Sequence, residues 1–262
     1  MNSYKSVAIQ AARKAGETLK KRLGRKRTIG FKGVVNIVTD MDILSEKIIV
    51  DEIENYFPDH AFLAEERPAT EKNSPFLWII DPLDGTTNYA HGFPVFSVSI
   101  ALAKDREVVL GVVYDPTRDE LFTAERGKGA RLNGRKIRVS SEPDLSRSLL
   151  ATGFPYDLRE SRINNFDHFH NFAIRAQAVR RAGSAALDLC YVAAGRFDGF
   201  WEMKLGTWDI AAGSLMVSEA GGEITDFLGK PLDLRGRHVL ASNGKIHRAM
   251  LRIVKQGKFP QA

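Results

Sequence analysis

The sequence predicts an α+β chain in which helices are mixed with both parallel-type and antiparallel strands. Three observations carry that expectation. Amphipathic helical segments alternate with short apolar stretches up to about residue 80. Residues Val95 to Ile137 switch to period-two alternation with tight turns, and beyond about residue 147 the strand–helix alternation returns. No sequence repeat, low-complexity tract or Pro/Ser-rich linker interrupts the chain. Two integrated halves, 1–146 and 147–262, are therefore expected to share one crevice rather than ride on a tether.

Residues 4 to 23 carry Ala8, Ala11, Ala12, Ala15, Leu19 and Leu23 at helical spacing, and Gly24 supplies a stop. Val34 to Val38 reads as a short strand. The helix after Thr39-Asp40-Met41-Asp42 runs to about Tyr56, just short of Pro58. Ala61 to Ala64 is a short apolar segment, and Phe76 to Ile80 is a core strand. Phe96, Val98, Ile100 and Leu102 alternate with small or polar residues before the charged turn Lys104-Asp105-Arg106 and the run Val108 to Tyr114. Asn133-Gly134 marks a hairpin. Leu149 to Thr152 is strand-like, Arg159 to Arg175 helical, Val179-Arg180 extended, and Ala185 to Ala194 a helix stopped by Gly195. Phe197 to Glu202 is a strand leading to Trp208-Asp209, the next helix ends at Gly221-Gly222, and one strand–helix pair closes the chain.

Composition excludes more than it selects. The 262 residues are 44% hydrophobic and 27% charged, ordinary for a globular enzyme. No run of about 18 apolar residues exists to span a bilayer, and the first residues lack the apolar core of a secretory signal. The single cysteine, Cys190, excludes an internal disulfide and a cysteine zinc cluster. Cytoplasm is the expected compartment. The dense basic run Lys20 to Arg27 is open to two readings: an anionic-partner or nucleic-acid patch, or a solvated helix end whose cations face the negative dipole terminus. The absence of interleaved aromatics favours the second.

The chemistry concentrates where apolar segments run into acids. Asp42 follows Ile37-Val38-Thr39, Glu65 follows Phe62-Leu63-Ala64, Asp81 and Asp84 end the strand at Trp78, and Asp209 follows Trp208. Asp42 and Asp209 could each simply cap a helix, and Glu65 could be a solvated surface acid. Asp81 and Asp84 flank a proline kink and precede Gly85-Thr86. Two carboxylates that close repel unless a cation lies between them, and an oxygen-only donor set suits Mg²⁺ or a similar hard ion. Gly85 permits close backbone approach, and Thr86-Thr87 could open a helix whose free N–H groups suit a phosphate. His168 and His170 are expected on a helix surface, His91 in packing or a hydrogen bond, Cys190 in the core, and Trp201 and Trp208 on the crevice wall.

Two long segments, Trp78 to Pro94 (WIIDPLDGTTNYAHGFP) and Trp208 to Gly222 (WDIAAGSLMVSEAGG), resemble the two signature motifs of the inositol monophosphatase family, part of the wider Mg²⁺-dependent, lithium-sensitive phosphatases. Phe62 to Glu66, Val38 to Asp42 and Gly183-Ser184-Ala185-Ala186 extend the resemblance to essentially the whole chain. It implies alternating layers, an α-β-α-β-α sandwich, a homodimer, and two or three Mg²⁺ per site. Glu65, Asp81 and the Leu83 carbonyl then resemble the ligands of one ion, and Asp81, Asp84 and Asp209 those of a second, with a weaker third leaning on Glu65. The N-terminal half would carry most ligands and the C-terminal half Asp209. Gly85 and Thr86 match phosphate-holding positions, and Asp42 with Thr86 matches the pair that orients the attacking water. Glu202, Ala185, Asp84 and Asp209 fall where the family contacts substrate hydroxyls.

The implied activity is hydrolysis of a phosphate monoester, inositol 1-phosphate first, by in-line attack of water without a phosphoenzyme. The segments Gly153 to Asp157 and Lys204 to Thr207 look closer to bacterial and archaeal members. In that group the same cage also serves fructose 1,6-bisphosphate, histidinol phosphate or phosphoadenosine phosphate. Arg159, Arg162, Arg180 and Arg181 could hold a second phosphate, or be surface cations or dimer contacts. Some bacterial relatives also bind the transcription machinery, a second role to which the Lys20–Arg27 run could contribute.

Overall fold

The computed structural model describes residues 3–25, 29–31, 37–70, 72–236 and 238–256. Helix α1 (Tyr4–Arg22) starts where the Ser3 side chain accepts from the Ser6 N–H, and it buries the stripe Ala8, Ala11, Ala12, Ala15 and Leu19. Its last turn holds Lys20, Lys21 and Arg22, placing cations at the negative end of the helix dipole. Lys26 and Arg27, and Val34 to Asn36 of the expected strand, lie outside the described residues. Strands β1 (Ile29–Phe31) and β2 (Ile37–Thr39) form a small antiparallel pair before helix α2 (Asp40–Glu54).

Helices α1 and α2 cover one face of a seven-stranded sheet. Its strands are β3 (Ala61–Ala64), β4 (Phe76–Asp84), β5 (Ser97–Lys104), β6 (Glu107–Asp115), β7 (Glu120–Glu125), β8 (Gly129–Leu132) and β9 (Arg135–Lys136), in that spatial order. Only the β3–β4 pair is parallel. The turns at Asp105-Arg106 and Asn133-Gly134 have positive φ at both central residues, the geometry that matches a two-residue hairpin to strand twist. Period two divides the sheet's side chains cleanly. Ile80, Ile100 and Val112 join α1 and α2 in one core, whereas Ile79, Ala101 and Val113 face the opposite way.

That opposite face meets helices α5 (Ala185–Ala193) and α6 (Thr207–Glu219), whose other sides rest on a five-stranded sheet. Its strands are β10 (Leu149–Thr152), β11 (Ala178–Arg180), β12 (Gly199–Met203), β13 (Glu223–Thr225) and β14 (His238–Ser242), ordered β11-β10-β12-β14-β13. Leu189 and Leu215 share one core with Ala151, Phe200 and Ala241, so both sheets are locked to the same helix pair. Helices α4 (Phe166–Ala173) and α7 (His247–Val254) contribute Phe172, Met250 and Ile253 to the far face, against Leu150, Trp201 and Leu240. The result is helix, sheet, helix, sheet, helix. Gly111 in β6 lets α6 lie on bare strand backbone, because a Cβ there would stand 2.9 Å from the Ala212 carbonyl oxygen.

Four expectations need correction. The helix expected over 159–175 begins only at Phe166, because Asn164 Oδ1 accepts from the Phe166 N–H and the preceding segment is held as turns. The closing strand–helix pair has an additional short strand, β13, too brief for periodicity to register. His168 is buried with its ring edge-on to Phe227, while His170 is exposed; an aromatic-rich helix buries more of its circumference than its charges suggest. His91 is exposed at the end of α3 (Thr86–Ala90), so of its two expected roles packing fails, while its N–H donates to the Thr87 carbonyl at 3.1 Å.

Candidate active site

The end of β4 and the starts of α3 and α6 line a cavity of about 560 Å³. Strand β4 places its acids by an irregularity. Asp81 pairs with Ser99 and Asp84 with Ser97, so three residue steps on β4 match two on β5. Residues three apart on a regular strand point to opposite faces; the extra residue, at Pro82-Leu83, turns both carboxylates to the same side. Pro82 has no N–H to lose from the ladder, and its carbonyl accepts from Ser45 Oγ at 2.7 Å. Gly85 follows with φ 91°, where a Cβ would come within 2.9 Å of the Val95 carbonyl oxygen.

Two helix starts supply further acids. Asp42 occupies the third position of α2, where Oδ2 accepts from the Thr39 N–H at 2.7 Å and from Thr39 Oγ1 at 2.6 Å. Asp209 holds the equivalent position of α6 and accepts from the Gly206 N–H at 2.6 Å. Each acid is thus both a cap and a site candidate. Thr86 Oγ1 lies 2.8 Å from Asp42 Oδ1 and 2.9 Å from the Leu83 carbonyl oxygen, two acceptors for its single proton. Asp42 itself is fully buried behind Thr86, whereas Thr86 lines the cavity.

Carboxylate oxygens of Asp81, Asp84 and Asp209 lie within 4.8 Å of one another. Glu65, Leu83 and Gly85 line the same cavity. Glu46 of α2 helps set Glu65: its carboxylate accepts from the Glu66 N–H at 2.9 Å and from Arg67 Nε at 2.7 Å, fixing the turn around it. Crowding shows in the acidities. Burial and the charges of Glu65, Asp84 and Asp209 push Asp81 well above the ordinary carboxylate range. Burial, then Asp84 and Glu65, push Asp209 to about 8. Asp84 rises only to about 6, because burial is opposed by hydrogen bonds from Ser184 Oγ and the Ala185 and Ala186 N–H groups. Burial also raises Asp42, against the hydrogen bonds from Thr39 and Thr86.

An inner lobe adjoins this cavity and shares Asp84, Gly85 and Asp209 with it; its walls include Ala185, Glu202 and Arg181. Burial, then Asp209 and Asp84, raise Glu202 to about 8. Arg159, Arg162 and Arg180 are exposed and line neither lobe. Trp208 lines the cavity, but Trp201 is fully buried, stacked on Phe172 with its Nε1–H donated to Asn165 Oδ1 at 2.8 Å. An alternating strand puts one of two nearby tryptophans in the core, which their shared neighbourhood in sequence conceals.

Residues 1–258 match the model of the inositol monophosphatase family. The chain belongs to that family. It is 43% identical over 264 residues to Nus factor SuhB of Pseudomonas aeruginosa, with 97% of each chain covered. To the inositol-1-monophosphatase of Mesorhizobium japonicum it is 45% identical over 254 residues, covering 96% of each. The crystal structure of the extragenic suppressor protein suhB from Bartonella henselae has 43% identity and a TM-score of 0.94, covering 98% of this chain and 100% of that one.

As in a family of phosphatases, the donor set suits a hard cation: three carboxylates converge with no thiolate or imidazole among them, and their crowding in a buried site raises the pKa of Asp81 and Asp209, a cost that a cation would relieve. The structure adds residues that the sequence did not single out for the site. Ser184 and Ala186 bind Asp84, and Glu46 steadies Glu65; the Gly183-Ser184 pair was visible, but the ion pair between Glu46 and Arg67, 21 residues apart, had no local signal. Among the described residues no helix is long and apolar enough to cross a membrane.

Proposed function

We propose that the chain is a Mg²⁺-dependent phosphate monoesterase acting on inositol 1-phosphate. The observation that carries this reading is the triad of close carboxylates beside the Thr86–Asp42 hydrogen bond. Glu65, Asp81 and the Leu83 carbonyl would hold one Mg²⁺, and Asp81, Asp84 and Asp209 a second, with a third leaning on Glu65. When bound, the ions supply Lewis acidity for the phosphoryl oxygens, the leaving oxygen and the attacking water.

The chain's own groups orient the reactants. Asp42, pinned by Thr39, accepts a hydrogen bond from the Thr86 hydroxyl, which leaves a Thr86 lone pair to accept a hydrogen bond from the attacking water. A water so held is aligned for in-line displacement and loses the freedom that makes the solution reaction slow. The N–H groups of Gly85 and Thr86 would hold the phosphate. Glu202, the backbone at Ala185, Asp84 and Asp209 would bind the hydroxyls of the alcohol. Water's oxygen bonds to phosphorus as the ester P–O bond breaks, the alcohol leaves protonated, and no phosphoenzyme forms. The active form would be a cytoplasmic homodimer.

A phosphate-release panel tests this reading. Inositol 1-phosphate should outrun fructose 1,6-bisphosphate and histidinol phosphate with Mg²⁺, and all release should stop with EDTA. Preference for the bisphosphate would move the assignment to a sugar bisphosphatase, and release indifferent to EDTA would end it. Asp84→Asn should abolish release while leaving the folded circular dichroism spectrum intact. A second role is favoured by one finding, the name Nus factor carried by the Pseudomonas relative. Retention of RNA polymerase or RNA in a pull-down at physiological salt, lost on neutralising the Lys20 to Arg27 run, would support it.

A further inference from the structure

Between the outer cavity and its inner lobe stands a residue that the hydrolysis scheme does not use. Tyr156 lines both spaces, together with Leu205. It is carried by the segment after β10, and its side chain is 52% exposed, so it contributes little to the core. Its ring borders the same spaces as Asp84 and Asp209. Its hydroxyl is a hydrogen-bond donor and acceptor at the edge of the cavity.

The segment is fastened at both ends. At its root, Asn165 Nδ2 donates to Thr152 Oγ1 at 2.7 Å and to the Gly153 carbonyl at 2.6 Å, while Thr152 Oγ1 donates to the Trp201 carbonyl at 2.6 Å. Gly153 abuts Glu202 so closely that a Cβ would lie 2.0 Å from Glu202 Oε1. Further along, Lys204 reaches back from the end of β12. Its Nζ donates to Asp157 Oδ2 at 2.6 Å and to Ser161 Oγ at 2.9 Å, with the lysine side chain only 17% exposed. Lys204 holds a left-handed φ of 62°, a conformation that a non-glycine residue adopts at a cost and that the surrounding contacts must sustain.

We propose that Tyr156, held over the cavity by the Lys204 latch to Asp157 and Ser161, is a specificity residue that selects a rigid polyol ring as the alcohol half of the ester. The inference rests on the phosphatase reading above and deepens it. A cyclitol or sugar ring has an apolar C–H face and a rim of hydroxyls. Tyr156 and Leu205 offer it an aromatic and an aliphatic wall, while Glu202 and the Tyr156 hydroxyl meet the rim. A short flexible alcohol covers little of that wall and gains little from it.

The test compares inositol 1-phosphate with glycerol 2-phosphate in wild type, Tyr156→Ala, Tyr156→Phe and Lys204→Met, with Mg²⁺ present. In Tyr156→Ala the ratio of kcat/KM for the two esters should fall about tenfold, through KM for the inositol ester. Tyr156→Phe keeps the ring and should lose no more than about threefold. Lys204→Met should lower the ratio in the same direction, and trypsin should cut its metal-free form faster after Arg159 or Arg162. An unchanged ratio in Tyr156→Ala, or equal losses for both esters, overturns the assignment of Tyr156. Unaltered trypsin cleavage in Lys204→Met overturns the latch. A wild type inert toward both esters instead fails the phosphatase reading, and this inference falls with it.

Discussion

Asp42 and Asp209 occupy the same local position, third in a helix, with the carboxylate folded back on the N-cap N–H, yet they live in opposite surroundings. Asp42 is ringed by donors: the Thr39 N–H, the Thr39 hydroxyl and the Thr86 hydroxyl. Asp209 has the Gly206 N–H, but faces Asp84 and Glu65, whose charges help push it to about 8. One device therefore serves two ends. Where donors surround the capped acid, they satisfy its oxygens and it holds a hydroxyl; where acids surround it, its charge is unrelieved, as the proposed cation site requires.

The sharpest way to break this comparison is to remove each charge while leaving a side chain that still caps. Asp209→Asn should lower Mg²⁺-dependent phosphate release by about 10³-fold or more, since an electrostatic partner of the reacting group is lost. The same variant should blunt the rise in melting temperature that Mg²⁺ gives wild type. Asp42→Asn should cost about 10²-fold in release, in the range of lost proton and water positioning, yet keep the Mg²⁺-induced rise. If calorimetric scans show both variants losing that rise equally, the two acids are not distinct in role.

Acidity gives a third, smaller effect. A carboxyl near 4 when unfolded but about 8 in the metal-free fold, as for Asp209, is protonated only in the folded state between those values. The folded state then binds more protons, so this group's contribution to stability falls as pH rises from about 4 to about 8. Metal-free protein should therefore lose melting temperature to this group across that window, and added Mg²⁺ should raise it more at pH 8 than at pH 6. A Mg²⁺ increment that shrinks with rising pH would contradict the charge assignment. The smallest effect belongs to Thr39→Ala, which removes one cap hydroxyl. It should cost about 1 kcal/mol in urea unfolding, with a loss of release smaller than that of Asp42→Asn.

Much of this was legible in the sequence because it is local. Apolar runs that end in acids gave β3, β4 and the starts of α2 and α6, and Asn133-Gly134 gave its hairpin. The register slip that turns Asp81 and Asp84 together was hinted at by Pro82 but depends on β5, a partner 13 or more residues away. Layer order was legible only through family resemblance, since Ile79 and Ile80 are chemically alike and only the third dimension assigns them to different cores. Trp201 and His168 were misplaced for a related reason. Each has a polar atom and was expected outside the core, Trp201 on a crevice wall and His168 on a helix surface, but long-range partners, Asn165 and Phe227, hold them inside.

The contact between Gly111 and Ala212 has a last consequence. Asp81 and Asp84 belong to the sheet, Asp209 to the helix laid across it, so the bare α-carbon of Gly111 sets the gauge between the two banks of the cage. A single methyl there would act as a shim. It would press on the rod that carries Asp209; if the proposed cage is right, Gly111→Ala should weaken Mg²⁺-dependent phosphate release from a position that lines neither lobe.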